Sequence, residues 1–583
     1  MKNACFFYFL CFFTTSLQAQ NKYFEKLYNW NDVQEVRKII LMESGFVLAE
    51  NSYNFGNDWQ ALICSANLQG DTTWTITYSN PYGHIVFSNF IKVNQKVIFT
   101  GNMTQPIGGD NVQTLLLTVD TNSLVSSLYC IGNSDANSVG RSIIQTQDAN
   151  ILIVGSKDWQ PYAVKVDTAG NIIWEQVYDN YPLLNWLTDV IPVPNEQAYY
   201  VIGTVGFNVM NGDILLAKIS NTTGEMLWDT TYSFGGVDGA NEIVKSQYGG
   251  YIIGGAAEGF SNVYFKGMVM KLSNDLDIEW YNSQLFENCG CGALKELPDG
   301  SIIAASCNDP QGEYAQMQII KLSGADGSIL WRRTYGGSWH DYAYDLALAP
   351  DGGFIVAGRQ DTIIPGAPIG HASAWVLKLN CMGLLTQPQA AFSYEPQGAN
   401  EIQFTNLSLY AYPDSIDGGY YIWDFGDGTP PYLCGQGYEP CTGNTLTHQY
   451  AAPGTYPVTL TAIVCTDTSV VQALIDTQGA GGTVGIAPPQ PPLASEGGSF
   501  EVLVYPNPAQ NILTLQWVSK SPLGDLGVSL LTLTGQTVLE TTLAAGEASK
   551  TVSVAHLPAG IYLCRWQQSA SGASGYIKVV VMR

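Results

Sequence analysis

The sequence predicts an all-β molecule whose larger portion is a seven-bladed β-propeller, and three observations predict it. An apolar, strand-like motif that ends in small residues occurs seven times: GFVLAE (45–50), KVIFTG (96–101), NILIVG (150–155), YYVIGT (199–204), GYIIGG (250–255), GSIIAA (300–305) and GFIVAG (353–358). The copies lie about fifty residues apart, the period of a propeller blade. A second motif follows most copies: a polar turn, a tryptophan, and a tyrosine four residues later, as in KVDTAGNIIWEQVY (165–178). Its relatives are NLQGDTTWTITY (67–78), KISNTTGEMLWDTTY (218–232), KLSNDLDIEWYNSQL (271–285) and KLSGADGSILWRRTY (321–335), with a weaker copy, TVDTNSLVSSLYC, at 118–130. Finally, the 583 residues include 60 Gly, 33 Tyr and 14 Trp, while only 13% are charged, a mixture suited to strands and turns.

Each repeat divides into four short strands. In the third these are RSIIQTQ, NILIVGS, YAVKVD and IIWEQVY, separated by turns rich in Gly, Asp and Asn. Asp167 and Gly170 belong to the last turn. Trp174 is expected to pack between neighbouring blades, and Tyr178 leads into the next unit. The seventh repeat has GFIVAG and AWVLKLN (374–380) but lacks the last strand. YFEKLYN (23–29) carries Phe24 and Tyr28 at the missing strand's spacing. The N-terminal strand should therefore complete the last blade and close the ring, which removes two sheet edges.

The first 19 residues have a lysine, an apolar run and a small-residue end at Ala19, the pattern of a secretory signal peptide. No later stretch is long and apolar enough for a membrane-spanning helix. The net charge of −25 argues against nucleic acid as a partner. Of the twelve cysteines, Cys5 and Cys11 lie in the leader, and the rest face an oxidising compartment. Cys434 and Cys441 form a candidate local disulfide, and Cys307 pairs with either Cys289 or Cys291. A zinc site at the CGC of 289–291 competes with that pairing, but no histidine and no paired C-x-x-C units accompany it.

Beyond residue 386 the pattern changes. YYIWDFGDGTPPY (420–432) and HQYAAPGTYPVTLTAIV (448–464) together resemble the PKD (polycystic kidney disease) domain. The resemblance rests on Trp423 to Thr429, then His448, Tyr450, Gly454, Tyr456, Val458 and Leu460. It implies an immunoglobulin-like sandwich over 387–478. The alternation of Trp423 with Phe425 and of YPVTLTAIV agrees with strands that have one buried face. A Gly/Pro linker occupies 479–499.

Residues 500–583 resemble the C-terminal sorting domain (type A) of proteins exported by the type IX secretion system of Bacteroidetes. The motif is carried by Tyr505, Pro506, Asn507, Pro508, Gly535, Leu557, Gly560, Tyr562 and Lys578. Cys564 stands where the pattern is usually aliphatic. The segment reads as a small β-sandwich. The resemblance implies type IX machinery as a partner, transport across the outer membrane to the cell surface or beyond, removal of this domain, and attachment of the remainder to surface lipopolysaccharide.

Catalytic constellations are harder to find. His84, His340 and His371 are the propeller's histidines, and neither an H-E-x-x-H pattern nor a G-x-S-x-G elbow occurs. A sialidase needs clustered arginines for a carboxylate, whereas Arg37, Arg141, Arg332, Arg333 and Arg359 are scattered among the blades. The tryptophan motif is similar to the docking repeat of quinoprotein dehydrogenases, a likeness of architecture, and there is no C-x-x-C-H haem signature. No cofactor is expected. Calcium is the one candidate ion, with Asp424 and Asp427 as its candidate ligands, although turn chemistry accounts for both. Trp59, Trp159, Trp186 and Trp339 lie near loops and are candidates for stacking on a sugar. The leading expectation is a non-catalytic surface or secreted adhesion protein with a glycan or protein partner. The alternatives are a polysaccharide hydrolase or lyase with acids on the propeller axis, and a structural scaffold. Three or more acids converging on the axis would favour the enzyme.

Overall fold

The structure, a computed structural model, describes residues 22–485 except 29–32, 54–58, 81–83, 105–110, 133–135, 182–183, 208–210, 261–263, 311, 313, 337–338, 363–370, 412–418, 436 and 442, together with the strands of 502–581 and the turn at 554–558. The leader, most of the linker, Pro506 to Pro508 and Gly535 lie outside the described residues. Among the described residues there are strands and turns but no helix, and none that could cross a membrane as one.

The propeller-like region consists of seven groups of four antiparallel strands. The first comprises Val33–Met42, Gly45–Tyr53, Trp59–Asn67 and Thr72–Tyr78, and the second runs from Ile85 to Ile131. The third to sixth begin with Ser138–Gln145, Leu184–Pro192, Val237–Lys245 and Ala293–Glu296. The seventh has Asp341–Leu348, Phe354–Thr362 and His371–Leu379, and its fourth strand is Phe24–Tyr28, antiparallel to the third with Phe24 opposite Lys378 and Tyr28 opposite Ala374. One parallel pairing, Val33 with Ala372, joins the first and seventh groups into a single eight-stranded sheet. The opening strand of each group lies against that of the next, and Asp341–Leu348 lies against Val33–Met42.

The repeated aromatics bind neighbouring groups together. Trp174 is buried, and its Nε1 donates to the Asn221 carbonyl of the next group at 3.0 Å, while the Tyr178 hydroxyl donates to the Gly224 carbonyl at 2.7 Å. Trp280 Nε1 donates to Gly324 O at 3.1 Å, and Tyr28 Oη donates to Gly70 O at 2.7 Å. The glycine of the receiving turn is required twice over. At Gly224 the backbone is left-handed (φ 72°), and a Cβ would sit 2.5 Å from the Trp174 ring.

Residues 386–485 form two packed four-stranded sheets. One is ordered Thr445–Gln449, Glu401–Asn406, Phe392–Gly398, Gly482–Val484, and the other Tyr432–Gly435, Tyr420–Asp424, Thr455–Val464, Asp467–Asp476. Their inner faces bury Phe392, Phe404, Trp423, Phe425 and Leu460. Cys381, just past the seventh group, is bonded to Cys465 of this sandwich, a link that the spacing of the cysteines does not predict. Beside it, Lys22 pairs with Asp467 at 2.7 Å and Tyr23 donates to the same carboxylate. Cys434 and Cys441 are bonded to each other. Cys289 is bonded to Cys307, so the CGC stretch supplies a disulfide and leaves Cys291 as a buried thiol.

The C-terminal region packs a three-stranded sheet on a four-stranded one, with Leu513, Leu515, Val528, Leu530, Tyr562 and Val579 between them. Leu557 is buried there, and the Tyr562 hydroxyl donates to Pro558 O at 2.8 Å. Tyr505, Gly560 and Lys578 lie on strands. Cys564 occupies the same core as a buried thiol, the role of a small apolar residue.

Candidate functional site

The antiparallel path gives the propeller-like region a pair of faces. On one, the connections within groups, such as 167–171 and 221–225, run to between two and six residues, most of them five. They reuse one device: Asn67, Asp167 and Asn380 each accept backbone N–H groups two and four residues ahead through Oδ1. On the other face the connections vary more in length, from two residues (158–159) to eight (363–370). We call these the turn face and the loop face. Trp59, Trp159, Trp186 and Trp339 all fall at the loop face.

Along the axis, a belt of side chains comes from equivalent places in the seven inner strands. In six of them the register shifts just ahead of the belt residue, a bulge that re-aims the chain. The belt residues are Lys38, Asn89, Ser142, Asp189, Glu242 and Asp345; Ala293 holds the equivalent place in the sixth group, and Lys295, two residues on, reaches Glu242. Asn89 donates to Ser142 at 3.3 Å, and Ser142 donates to Asp189 at 2.7 Å. Asp189 also accepts from Ile243 N at 3.0 Å. Glu242 accepts from Leu294 N at 2.8 Å and Lys295 Nζ at 2.7 Å. Asp345 accepts from Ile39 N at 2.9 Å and Lys38 Nζ at 3.1 Å. Each carboxylate thus reaches from its own group to the backbone of the next.

The same belt sets the local electrostatics. Burial opposes the charge on Lys38, but Asp345, Glu242 and Asp189 outweigh it and raise its pKa. Burial also works against Glu242, yet Lys295 and Lys38 hold its carboxyl below the usual value. Asp189 goes the other way, raised by burial and then by Glu242. Three acids therefore converge on the axis, the geometry the hydrolase alternative calls for, and all three spend oxygens on clasping adjacent groups.

Nearer the loop face, between the seventh and first groups, lies an aromatic strip. The rings of His340, Tyr342 and Tyr344 follow one another along the strand, 6.0 and 5.9 Å apart and nearly parallel. Trp339 packs edge-on to Tyr314 at 4.9 Å. Arg37 lies 4.5 Å over Tyr344, and Arg359 lies 5.9 Å from Tyr342. Two of the five arginines thus flank neighbouring rings of one strip where the last group abuts the first, while Arg141, Arg332 and Arg333 lie in other groups. Both strip arginines are already paired: Arg37 with Glu35 at 2.5 Å, and Arg359 with Asp361 through two bonds of 2.5 and 2.9 Å.

The other aromatic candidates have their own settings. Trp59 packs on Tyr53, and its backbone N–H donates to His84 Nδ1 at 3.1 Å. Trp159 is 58% exposed, the most open of the four. Its carbonyl accepts the Asn185 N–H at 2.8 Å, which brings it beside Trp186 in the chain path. Trp186 packs on Phe207 at 5.2 Å and walls an open pocket shared with Val237, Asn241 and Phe265. Arg141 lies 5.6 Å from the Trp186 ring. The four tryptophans share a face but come from different groups. His371 begins a strand of the seventh group.

In the sandwich, Asp424 Oδ1 accepts the Gly426 N–H at 2.9 Å. Asp427 accepts from Thr429 through one oxygen and contacts His448 Nε2 at 2.8 Å through the other. Burial would raise Asp427, but Thr429 and His448 bring its pKa down to about 2. The structure thus uses both calcium candidates for the turn and the His448 contact. Among the described residues no group of three or more His, Cys, Asp or Glu side chains forms a metal-binding cluster.

The belt escaped sequence reasoning because its members share no residue type. Only their spacing near the repeat period, directly after the inner-strand bulge in six groups, marks them. The strip was missed because its members come from both ends of the repeat region.

Residues 503–582 match the family described as a secretion system C-terminal sorting domain, and residues 386–475 match the PKD domain. No curated protein matches the chain. Among solved structures it is similar to PorZ, an essential bacterial surface component of the type IX secretion system of Porphyromonas gingivalis (10% identity, 94% of this chain and 70% of that one, TM-score 0.31). It is also similar to the β-propeller domain of the Trilobed protease from Pyrococcus furiosus (12% identity, 56% and 91%, TM-score 0.33). A third is an exo-β-1,3-galactanase from Phanerochaete chrysosporium (9% identity, 59% and 90%, TM-score 0.27). The sorting domain marks the chain for export to the cell surface or the extracellular space and implies the type IX machinery.

Proposed function

We propose that this exported protein is a non-catalytic recognition protein that binds a glycan or protein partner through the loop face of a closed seven-bladed propeller. The seven four-stranded groups, the contact between the seventh and the first, and the N-terminal strand in the seventh support that architecture. The division into leader (1–19), propeller (20–386), sandwich (387–478), linker (479–499) and sorting domain (500–583) belongs to the same proposal. One observation carries the binding reading. The candidate aromatics gather on the face whose connections vary in length, while the opposite face repeats one turn. Variable loops on a rigid scaffold are the usual seat of recognition. No cofactor enters the proposal.

The convergence of Asp189, Glu242 and Asp345 favours a second reading, a polysaccharide hydrolase or lyase. Their oxygens are engaged by adjacent groups, which supports a clasping role instead. A purely structural scaffold is the third reading. The purified mature chain, screened on glycan and surface-protein arrays and for polysaccharide cleavage, separates them. Saturable binding without turnover is expected. Cleavage lost in an Asp189→Asn variant that still folds would establish the enzyme, and neither binding nor cleavage would leave the scaffold. Removal of the sorting domain and attachment to lipopolysaccharide are read from the mass of the surface-extracted protein.

A further inference from the structure

Arg141 differs from every other arginine of the propeller-like region. Arg37 and Arg359 each hold a carboxylate, Arg332 donates to the Leu285 and Gln284 carbonyls, and Arg333 donates to the Arg332 carbonyl. Arg141 makes no hydrogen bond or ion pair among the described residues, and its Nε is enclosed away from solvent. Burial alone lowers its pKa, with no acid to offset it. The side chain as a whole is half-buried, and a guanidinium partly withdrawn from water without a partner is costly and is normally paired. The side chain projects from the bulge between Gly140 and Ser142 of an inner strand, where Arg37 stands in the first group. Its neighbour is the Trp186 ring, at 5.6 Å; the open pocket that Trp186 walls with Phe207, Asp238 and Phe265 is lined from the fourth and fifth groups and not by Arg141.

We propose that Arg141 and Trp186 form a binding site for a carboxylate carried on a sugar ring, such as the uronate of an acidic saccharide. The planar guanidinium fork matches a carboxylate bidentately, and an aromatic beside it suits a ring with an apolar face. The chain's net charge of −25 repels polyanions at long range, so the match is to one carboxylate in a desolvated place. The proposal rests on the recognition reading of the loop face and names its ligand class.

The test uses the mature chain with D-glucuronate, D-glucose and inorganic sulfate as probes, followed by calorimetry and thermal shift. Glucuronate is expected to bind saturably and glucose not to bind. Arg141→Gln should weaken glucuronate at least about tenfold, the worth of a charge-assisted pair, and Trp186→Ala should weaken it less. Because the free guanidinium is uncompensated, Arg141→Gln should melt no lower than the unaltered chain, which also shows that it folds. Equal glucuronate binding by Arg141→Gln, no binding by the unaltered chain, or a response to sulfate alone would each overturn the carboxylate site. If array partners are still captured in any of those cases, the recognition reading stands; if none is, both fall.

Discussion

The turn face and the loop face are built from the same strands and put them to different uses. On the turn face, Trp174 and Tyr178 hold the 221–225 turn, Trp280 holds the 323–328 turn, and Phe24 and Tyr28 hold the 68–71 turn. The same atoms recur because the same problem recurs: one group's outer strand must meet the next group's turn. On the loop face the backbone contacts recur, as in the 185–159, 238–212 and 341–315 bonds, but the side chains change from group to group. Arg37 is paired and Arg141 is not, although they occupy equivalent places. Where residues repeat they maintain the assembly, and where the repeat breaks down they are free to serve a partner.

The sharpest way to break this comparison is to cut a turn-face clamp. Trp174→Ala should cost about 3–5 kcal/mol in urea unfolding, and a loss below about 1 kcal/mol would mean the motif is not the glue. Gly327→Val comes next. Its φ is 70° and a Cβ would lie 2.4 Å from Trp280, so strain and overpacking should together cost about 2–4 kcal/mol.

The seam between the first and seventh groups gives a pH test of intermediate size. Glu50 is fully buried, neither carboxylate oxygen has a partner, and burial pushes its pKa up to about 8. It shares its strand face with Phe46 and Leu48, which pack against Phe24 and Ile355. Its folded pKa lies above the unfolded one, so the folded state holds the extra proton. Stability is therefore full below about pH 4.5 and falls as pH rises toward 8, by about 5 kcal/mol in all. Glu50→Gln should flatten that slope, and an unchanged slope would place the titration elsewhere. The smallest effect belongs to the loop face. Trp159→Ala should change stability by less than about 0.5 kcal/mol while weakening capture of any partner found on the arrays. A large stability loss would make Trp159 a member of the scaffold.

How much of this could be read in advance follows the same division. The clamps were legible because tryptophan, tyrosine and glycine recur in one order, and the strand at 24–28 was legible as the missing copy. The belt was not, because Lys38, Asn89, Ser142, Asp189, Glu242 and Asp345 have in common a position and no side chain. The meeting of Arg37 with Tyr344 was hidden for another reason: the two lie at opposite ends of the repeat region and touch only when its last group returns to its first. Cys381 and Cys465 were hidden by distance too, since the sequence offers no rule for choosing among well-separated cysteines.

The pairing of Glu25 with Trp375 spans 350 positions, and that span dictates an order of events. The first ordered strand to leave the ribosome cannot find its partner until the seventh group has emerged. Until then its backbone donors and acceptors are open to wrong partners. Assembly is therefore a race in which the earliest segment finishes last. A chain stalled anywhere before residue 379 would be unable to lock, however well its earlier groups had formed.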